Sequence, residues 1–177
     1  MDILVVVDMQ NDFVSGALGT PEAAAIVPKV VSRVAEGISR GEKIFFTRDT
    51  HTEDYLNTQE GKKLPVPHCI RGTEGWEIVD ALKEYTQTYS PINKPTYGST
   101  ALVENLHGIS SKGQIEKITF VGLCTDICVI SNVLLAKACI PEVELVVDAS
   151  CCAGVTPESH KNALEAMKMC QISVENE

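Results

Sequence analysis

No apolar run in the chain approaches the ~20 residues that a membrane helix needs, so no transmembrane segment and no membrane partner are expected. The N-terminus, MDILVVVDMQ, has an acid at position 2 and Asp8 after its apolar residues, and so lacks the basic region and cleavage site of a secretory leader. A cytoplasmic location is the expectation. No Lys/Arg cluster is longer than Lys62-Lys63 and the formal charge is −9, which argues against a nucleic-acid partner. The acidic balance bears mainly on solubility. Among seven cysteines there is no Cys-x-x-Cys pair. Their odd number and irregular spacing argue against a disulfide framework or a zinc knuckle. They read as reduced thiols, most of them small buried hydrophobes. Internal repeats, linkers and low-complexity tracts are also missing, and 177 residues, 44% of them apolar, suit one domain over 1–177.

What is present is an alternation of short apolar runs and helical patterns. Ile3-Leu-Val-Val-Val7 ends at Asp8, Lys43-Ile-Phe-Phe-Thr47 ends before Arg48-Asp49, Ile118-Thr-Phe-Val121 ends at Gly122, and Val143-Glu-Leu-Val-Val147 ends at Asp148. Runs without polar alternation suit strands buried on both faces, as in a parallel sheet. Weaker strand candidates lie at Ser90–Asn93 and Gln171–Val174. Ile26, Val30, Val34 and Ile38 form a helical stripe, with Pro28 read as its first regular residue and Gly41 as its end. Further stripes are Trp76, Val79, Leu82 and Tyr85; Ile130, Val133, Leu134 and Ala138, ended by Ile140-Pro141; and Ala163, Leu164, Met167 and Cys170, opened by Pro157. This order predicts a three-layer α/β/α fold, a mostly parallel Rossmann-like sheet of about six strands with helices on both faces. The longest stretch without a helical pattern, Asp49 to Gly75, holds Asp49, His51, Glu60 and His68, and its length favours a functional loop.

Ligands of open α/β sheets bind beyond the carboxyl ends of the strands. The first strand delivers Asp8 there, followed by Gln10, Asn11, Asp12 and Phe13; the second delivers Asp49 and His51; the third delivers Lys94; the fourth delivers Gly122-Leu-Cys-Thr-Asp-Ile-Cys128. Cys128 falls in the first turn of a helix that Thr125 or Asp126 can cap. There the helix dipole and a nearby cation favour thiolate, and a free N–H can meet an oxyanion. A buried structural cysteine is the competing reading. Asp8 reads as a general base for the thiol, then an acid for a leaving amine, or else as a carboxylate closing the turn after its strand. Lys94 reads as a solvated lysine, or as the cation beside the other two. A Cys–His pair is less well served: His107 lies where a helix runs into a loop, and His160 on an exposed helix. Asp49, His51, Glu60 and His68 read as ligands of a divalent transition metal with open positions, against the alternative of incidental histidines.

Taken together, Val-Val-Asp8-Met-Gln-Asn-Asp-Phe13, Asp49-Thr-His51, His68-Cys-Ile-Arg-Gly-Thr73, Lys94-Pro-Thr-Tyr97 and Gly122-Leu-Cys-Thr-Asp-Ile-Cys-Val129 resemble the motifs of the isochorismatase-like cysteine hydrolases, and among them most resemble those of the nicotinamidases (pyrazinamidases). The resemblance spans almost the whole chain. It implies an Asp8–Lys94–Cys128 triad, with Cys128 as nucleophile, and a cis peptide at Leu123–Cys124, so that the N–H groups of Cys124 and Cys128 form the oxyanion hole. It implies a small-molecule amide as substrate: nicotinamide would be converted to nicotinate and ammonia through a thioester, in NAD salvage. It also implies one metal, zinc first and iron or manganese next, on Asp49, His51 and His68, which anchors a pyridine nitrogen and activates water. No third histidine occurs in the loop, so Glu60 is taken as the fourth ligand. Phe13 and Tyr97 match aromatic pocket positions. Where some members carry a tryptophan, this chain has Pro65, with Leu64 or Val66 to compensate.

The rival readings are a metal-independent hydrolase of another amide, carbamoyl or ureido compound or of isochorismate, a non-catalytic binding protein on the same fold, and a redox protein using Cys151-Cys152. The Asp49/His51/His68 set argues against the first, the intact triad against the second, and the lack of a resolving thiol against the third. A homo-oligomer is expected from the prevalence of such assemblies among soluble enzymes.

Overall fold

A computed structural model describes residues 1–177. Six strands, β1 (Asp2–Val7), β2 (Lys43–Asp49), β3 (Ile92–Lys94), β4 (Lys117–Leu123), β5 (Glu144–Ala153) and β6 (Ser173–Glu175), form one sheet in the order β3-β2-β1-β4-β5-β6. Every neighbouring pair is parallel. Helices α1 (Asn11–Val14), α2 (Pro21–Ser39), α3 (Gln59–Lys63), α4 (Asp80–Thr86), α5 (Thr100–Ser110), α6 (Ile130–Cys139) and α7 (Pro157–Met169) connect them. No helix is long and apolar enough to cross a membrane.

The continuous apolar run of β1 serves both faces of the sheet. Ile3, Val5 and Val7 pack with α5, α6 and α7 residues such as Leu102, Leu106, Val133 and Met167. Leu4 and Val6 pack with Ile26, Val30 and Val34 of α2 and Leu82 of α4. Residues 3 to 7 are therefore all fully buried, as the period-two geometry of a central strand requires.

β1 lies where the chain order reverses, with β2 on one side and β4 on the other. Ligands of such sheets collect at this switch point. β4 closes on β1 as far as Val7↔Gly122. Gly122 has φ +117, and a Cβ there would meet the Val7 carbonyl oxygen at 2.1 Å. Only glycine permits this approach, which brings the segment after β4 against the end of β1.

Four expectations are corrected. The first long helix begins at Pro21, capped by the Thr20 side chain on the Ala23 N–H, and Pro28 lies inside it. Thr-Pro supplies a cap and a preset first φ, and the buried Ala23–Ile26–Val30–Val34 stripe offsets the one backbone bond that Pro28 cannot make. Trp76 is outside α4, in a short 3₁₀ turn over Glu74–Trp76. On α6 the buried stripe is Val133 and Ala136, while Ala138 is exposed. The stretch from Asp49 to Gly75 contains α3 and a 3₁₀ turn over Tyr55–Asn57, capped in sequence at Thr58.

Candidate active site

Asp8 is the first residue beyond β1 and sits at φ +47, a conformation uncommon for a residue with a side chain. It is fully buried, and Thr47 Oγ1 donates to its Oδ1 at 2.7 Å. Lys94 ends β3, two strands away from β1. Two strand spacings are roughly 9–10 Å, so a long side chain is needed to reach over the end of β2. Lys94 Nζ arrives 2.6 Å from Asp8 Oδ2, 3.3 Å from Asp49 Oδ1 and 3.4 Å from Cys128 Sγ, and donates to the Thr96 carbonyl at 3.0 Å. Lys94 is 1% exposed, so it is not the solvated lysine of the alternative reading.

Cys128 lies in a wide π-type turn over Thr125–Val129 that leads into α6. The Leu123–Cys124 peptide is cis. Neither Thr125 nor Asp126 caps the helix. Thr125 Oγ1 is 2.7 Å from His160 Nδ1, and Asp126 accepts from the Val155 N–H at 3.2 Å. Both side chains tie the turn to the start of α7 instead. His160, expected on an exposed face, is half-buried by this contact. Asn132 secures the other side: its Nδ2 donates to the carbonyls of Cys128 and Tyr97, and its Oδ1 accepts from the Ser99 N–H.

The electrostatics correct a further expectation. Burial, then the Asp8 carboxylate, push the Cys128 thiol well up, and Lys94 only partly opposes them. The resting thiol therefore keeps its proton. Burial also raises Asp8 against the pull of Lys94. Burial works against charge on Lys94, but Asp8, Cys128 and Asp49 outweigh it and hold the ammonium protonated. One cation thus sits between two groups that compete for a proton.

Across Lys94 lies the second cluster. One ligand atom from each of Asp49, His51 and His68 falls within 4.8 Å of the others, and all three residues are buried. His51 Nε2 is 2.9 Å from Asp49 Oδ2, yet out of hydrogen-bond alignment with it, and is a buried nitrogen without a partner. His68 Nε2 is 3.7 Å from Asp49 Oδ2, while its Nδ1 is 2.8 Å from the Val66 carbonyl. Donation from Nδ1 leaves Nε2 as a free lone pair, the arrangement a metal-binding histidine needs. Glu60 Oε1 stands 3.7 Å from His51 Nε2 and 3.6 Å from His68 Nε2, outside the tight trio but facing it. An orphaned imidazole nitrogen, a second free one and two carboxylates fit a divalent transition metal.

Both clusters open into one cavity of about 230 Å³. Cys128, Asp49, His68 and Glu60 line its polar side, and Phe13, Leu18, Leu64, Tyr97, Cys124 and Ile127 complete the wall. The Phe13 ring lies 5.6 Å from that of His68, and Tyr97 stands at the mouth, 42% exposed. Of the two residues offered to compensate for Pro65, Leu64 lines the cavity and Val66 does not. Sequence reasoning missed Leu18, Ile127 and Asn132. It also missed Tyr55, which is buried edge-on to both His51 and His68 while its hydroxyl donates to the Leu64 carbonyl. Asn132 carries a usable signal, being four residues beyond Cys128 on the buried side of the following helix.

A buried thiol, amine and carboxylate thus meet at the switch point of a Rossmann-like parallel sheet, and known proteins give the class. The family model described as Isochorismatase domain matches residues 2–176. The chain belongs to the isochorismatase family. An Arabidopsis thaliana protein named "probable inactive nicotinamidase" is 31% identical over 93% of this chain and 87% of its own. The crystal structure of a Bacillus subtilis nicotinamidase superposes with a TM-score of 0.83 at 28% identity, covering 98% of both chains. A pyrazinamidase of Pyrococcus horikoshii, solved in complex with zinc, gives a TM-score of 0.79 at 27% identity over 98% and 97%.

Proposed function

We propose that the protein is a cysteine amidohydrolase that converts nicotinamide to nicotinate and ammonia, a step of NAD salvage. The observation that carries this reading is Lys94 Nζ between Asp8, at 2.6 Å, and Cys128 Sγ, at 3.4 Å, at the edge of a cavity whose polar side is Asp49, Glu60 and His68. Asp8 takes the Cys128 proton as the sulfur attacks the amide carbonyl. The raised affinity of both groups for that proton suits a transfer made only when substrate is bound. Lys94 keeps its charge and stabilises whichever partner is anionic. The N–H groups of Cys124 and Cys128 receive the oxyanion. Asp8 returns the proton to the leaving ammonia, and water then cleaves the thioester with Asp8 again as base. Phe13 and Tyr97 flank the ring.

Asp49, His51 and His68 would hold a divalent transition metal, zinc first and iron or manganese next, with Glu60 as the remaining protein ligand. When bound, it supplies a Lewis acid toward a ring nitrogen and lowers the pKa of water.

The test is ammonia release from nicotinamide by the zinc-loaded chain, beside a carbamoyl and a ureido compound. Turnover of nicotinamide alone supports the proposal. Turnover of only a carbamoyl or ureido compound, unaffected by chelator, overturns it in favour of a metal-independent hydrolase. No turnover with a Cys128 inert to iodoacetamide at neutral pH overturns it in favour of a binding protein.

A further inference from the structure

We propose that Gln10 and Asp12 are positioning residues for the metal-side cluster, Gln10 holding the backbone of Asp49 and Asp12 that of the His68–Cys69 segment. The proposal rests on the reading that this cluster binds a metal, and concerns residues that the mechanism does not use and that do not line the cavity.

β1 leaves the sheet at Asp8, where φ turns to +47, and its ladder to β2 ends at Val6↔Phe46. Asp49 lies three residues further along β2 and has no β1 backbone opposite it. The Gln10 side chain, fully buried, fills that place. Its Oε1 accepts from the Asp49 N–H at 2.7 Å, and its Nε2 donates to the Asp49 carbonyl at 2.8 Å and the Trp76 carbonyl at 2.9 Å. The carboxamide thus stands in for a peptide unit. Only Asn and Gln offer a donor and an acceptor in that planar form, and Gln has the longer reach. With both amide protons given to backbone carbonyls and its oxygen held on the Asp49 N–H, Gln10 has no proton left to offer the chemistry.

Asp12 acts on the other side of the loop. Its Oδ2 accepts from the Cys69 N–H at 2.7 Å. Cys69 has φ +47, a strained value for a residue with a side chain, and is the immediate neighbour of His68. The Cys69 carbonyl in turn receives the His51 N–H at 2.9 Å, so one carboxylate braces a residue that adjoins one histidine and hydrogen-bonds the other. Gly75 allows the approach, since a Cβ there would lie 2.1 Å from Asp12 Oδ2. Asp8, Gln10 and Asp12 are alternate residues of one short segment: the first serves the thiol and the other two serve the metal side.

The experiment measures zinc affinity of the full-length chain, stripped with chelator, by competition with a chromophoric chelator, together with the visible absorption of the cobalt(II) form. Gln10→Met and Asp12→Ala are each expected to weaken zinc binding about 10–100-fold, the usual loss when an outer-shell partner is removed, and to alter the cobalt spectrum. Asp12→Asn keeps an acceptor oxygen and is expected to restore near-native affinity and spectrum. Native affinity and spectrum in both Gln10→Met and Asp12→Ala overturn the proposal, as does Asp12→Asn behaving like Asp12→Ala. Should Gln10→Met fail to fold, Gln10→Asn carries the same expectation, since its carboxamide is one methylene short. A wild-type chain that binds no zinc overturns the positioning role and the metal together. Zinc binding that depends on Gln10 and Asp12, without ammonia release from nicotinamide, supports the positioning role and removes only the substrate.

Discussion

Asp8, Lys94 and Cys128 stand at or just past the ends of β1, β3 and β4, whereas beyond Asp49 the metal-side residues ride on a long segment with only short helical turns. Asp8 and Lys94 are placed by main-chain ladders, which also fix neighbouring strands in register, and Cys128 by a turn that Thr125, Asp126 and Asn132 tie down. On the metal side Asp49 shares the ladder to Lys94 and His51 makes a single bridge to Ile70, and the loop is otherwise pinned by single side chains: Gln10 on Asp49, Asp12 on Cys69, Tyr55 on Leu64. Side chains held by a sheet move only if the sheet moves. A loop held by a few buried bonds can lose its geometry one contact at a time. The two halves should therefore fail differently when perturbed.

The largest effect is expected from Cys128→Ala. Loss of the proposed nucleophile should lower ammonia release by at least about 10⁴-fold, as for triad nucleophiles, while circular dichroism reports an unchanged fold. Retained turnover would rule out the covalent mechanism. Next is Lys94→Met, which leaves Asp8 and Cys128 buried without their cation. Removing one partner of a buried pair costs about 3–5 kcal/mol, so Tm should drop by roughly 6–20 °C and activity should vanish with it. An unchanged Tm would mean that the triad is not tied to the sheet as argued. Zinc should act on the other half. At a hundredfold excess over its Kd it is expected to add about 2.7 kcal/mol, a Tm rise of roughly 5–11 °C, and chelator should remove that rise together with most of the turnover. A chelated chain with full activity would sever the metal side from catalysis. The smallest change is expected for Cys124→Ser. Serine keeps the backbone N–H, so kcat should fall by far less than the ~10²–10³-fold that follows loss of an oxyanion donor. A loss of that size would assign the Cys124 thiol itself a role.

The same contrast governs what could be read from residues alone. Ile3–Val7 of β1 is an unbroken apolar run and β2 and β4 are nearly so, so Asp8, Asp49 and the Cys124–Cys128 segment could be placed on one edge, whereas β5 runs on past Asp148 and Ser150 to Ala153, further than its apolar run shows. β3 and β6 have three residues each, with Ile92 and Val174 their only apolar members, too little for a period to show. Lys94 was found by its position, but its burial follows from reaching across a neighbouring strand, which no local pattern records. The Cys128 thiol was expected to ionise readily. Helix position and cation were legible, but the desolvation of a buried sulfur was not. Thr125 and Asp126 look like caps from local sequence, and only the fold shows that α7 claims both. Gln10 and Asp12 were visible as residues following β1, but their partners lie 39 and 57 positions away.

Gly122 does not line the cavity and bears no functional group, yet the gap between β1 and β4 is set by its missing side chain. In a library of single substitutions it should behave like a member of the triad. Even alanine, ordinarily the mildest replacement, would drive the two strands apart at the point where Asp8 and the Cys124–Cys128 segment meet. Tolerance to change along β4 should then drop abruptly at this one residue. Such a map would trace the proposed catalytic centre through a position that has no chemistry of its own.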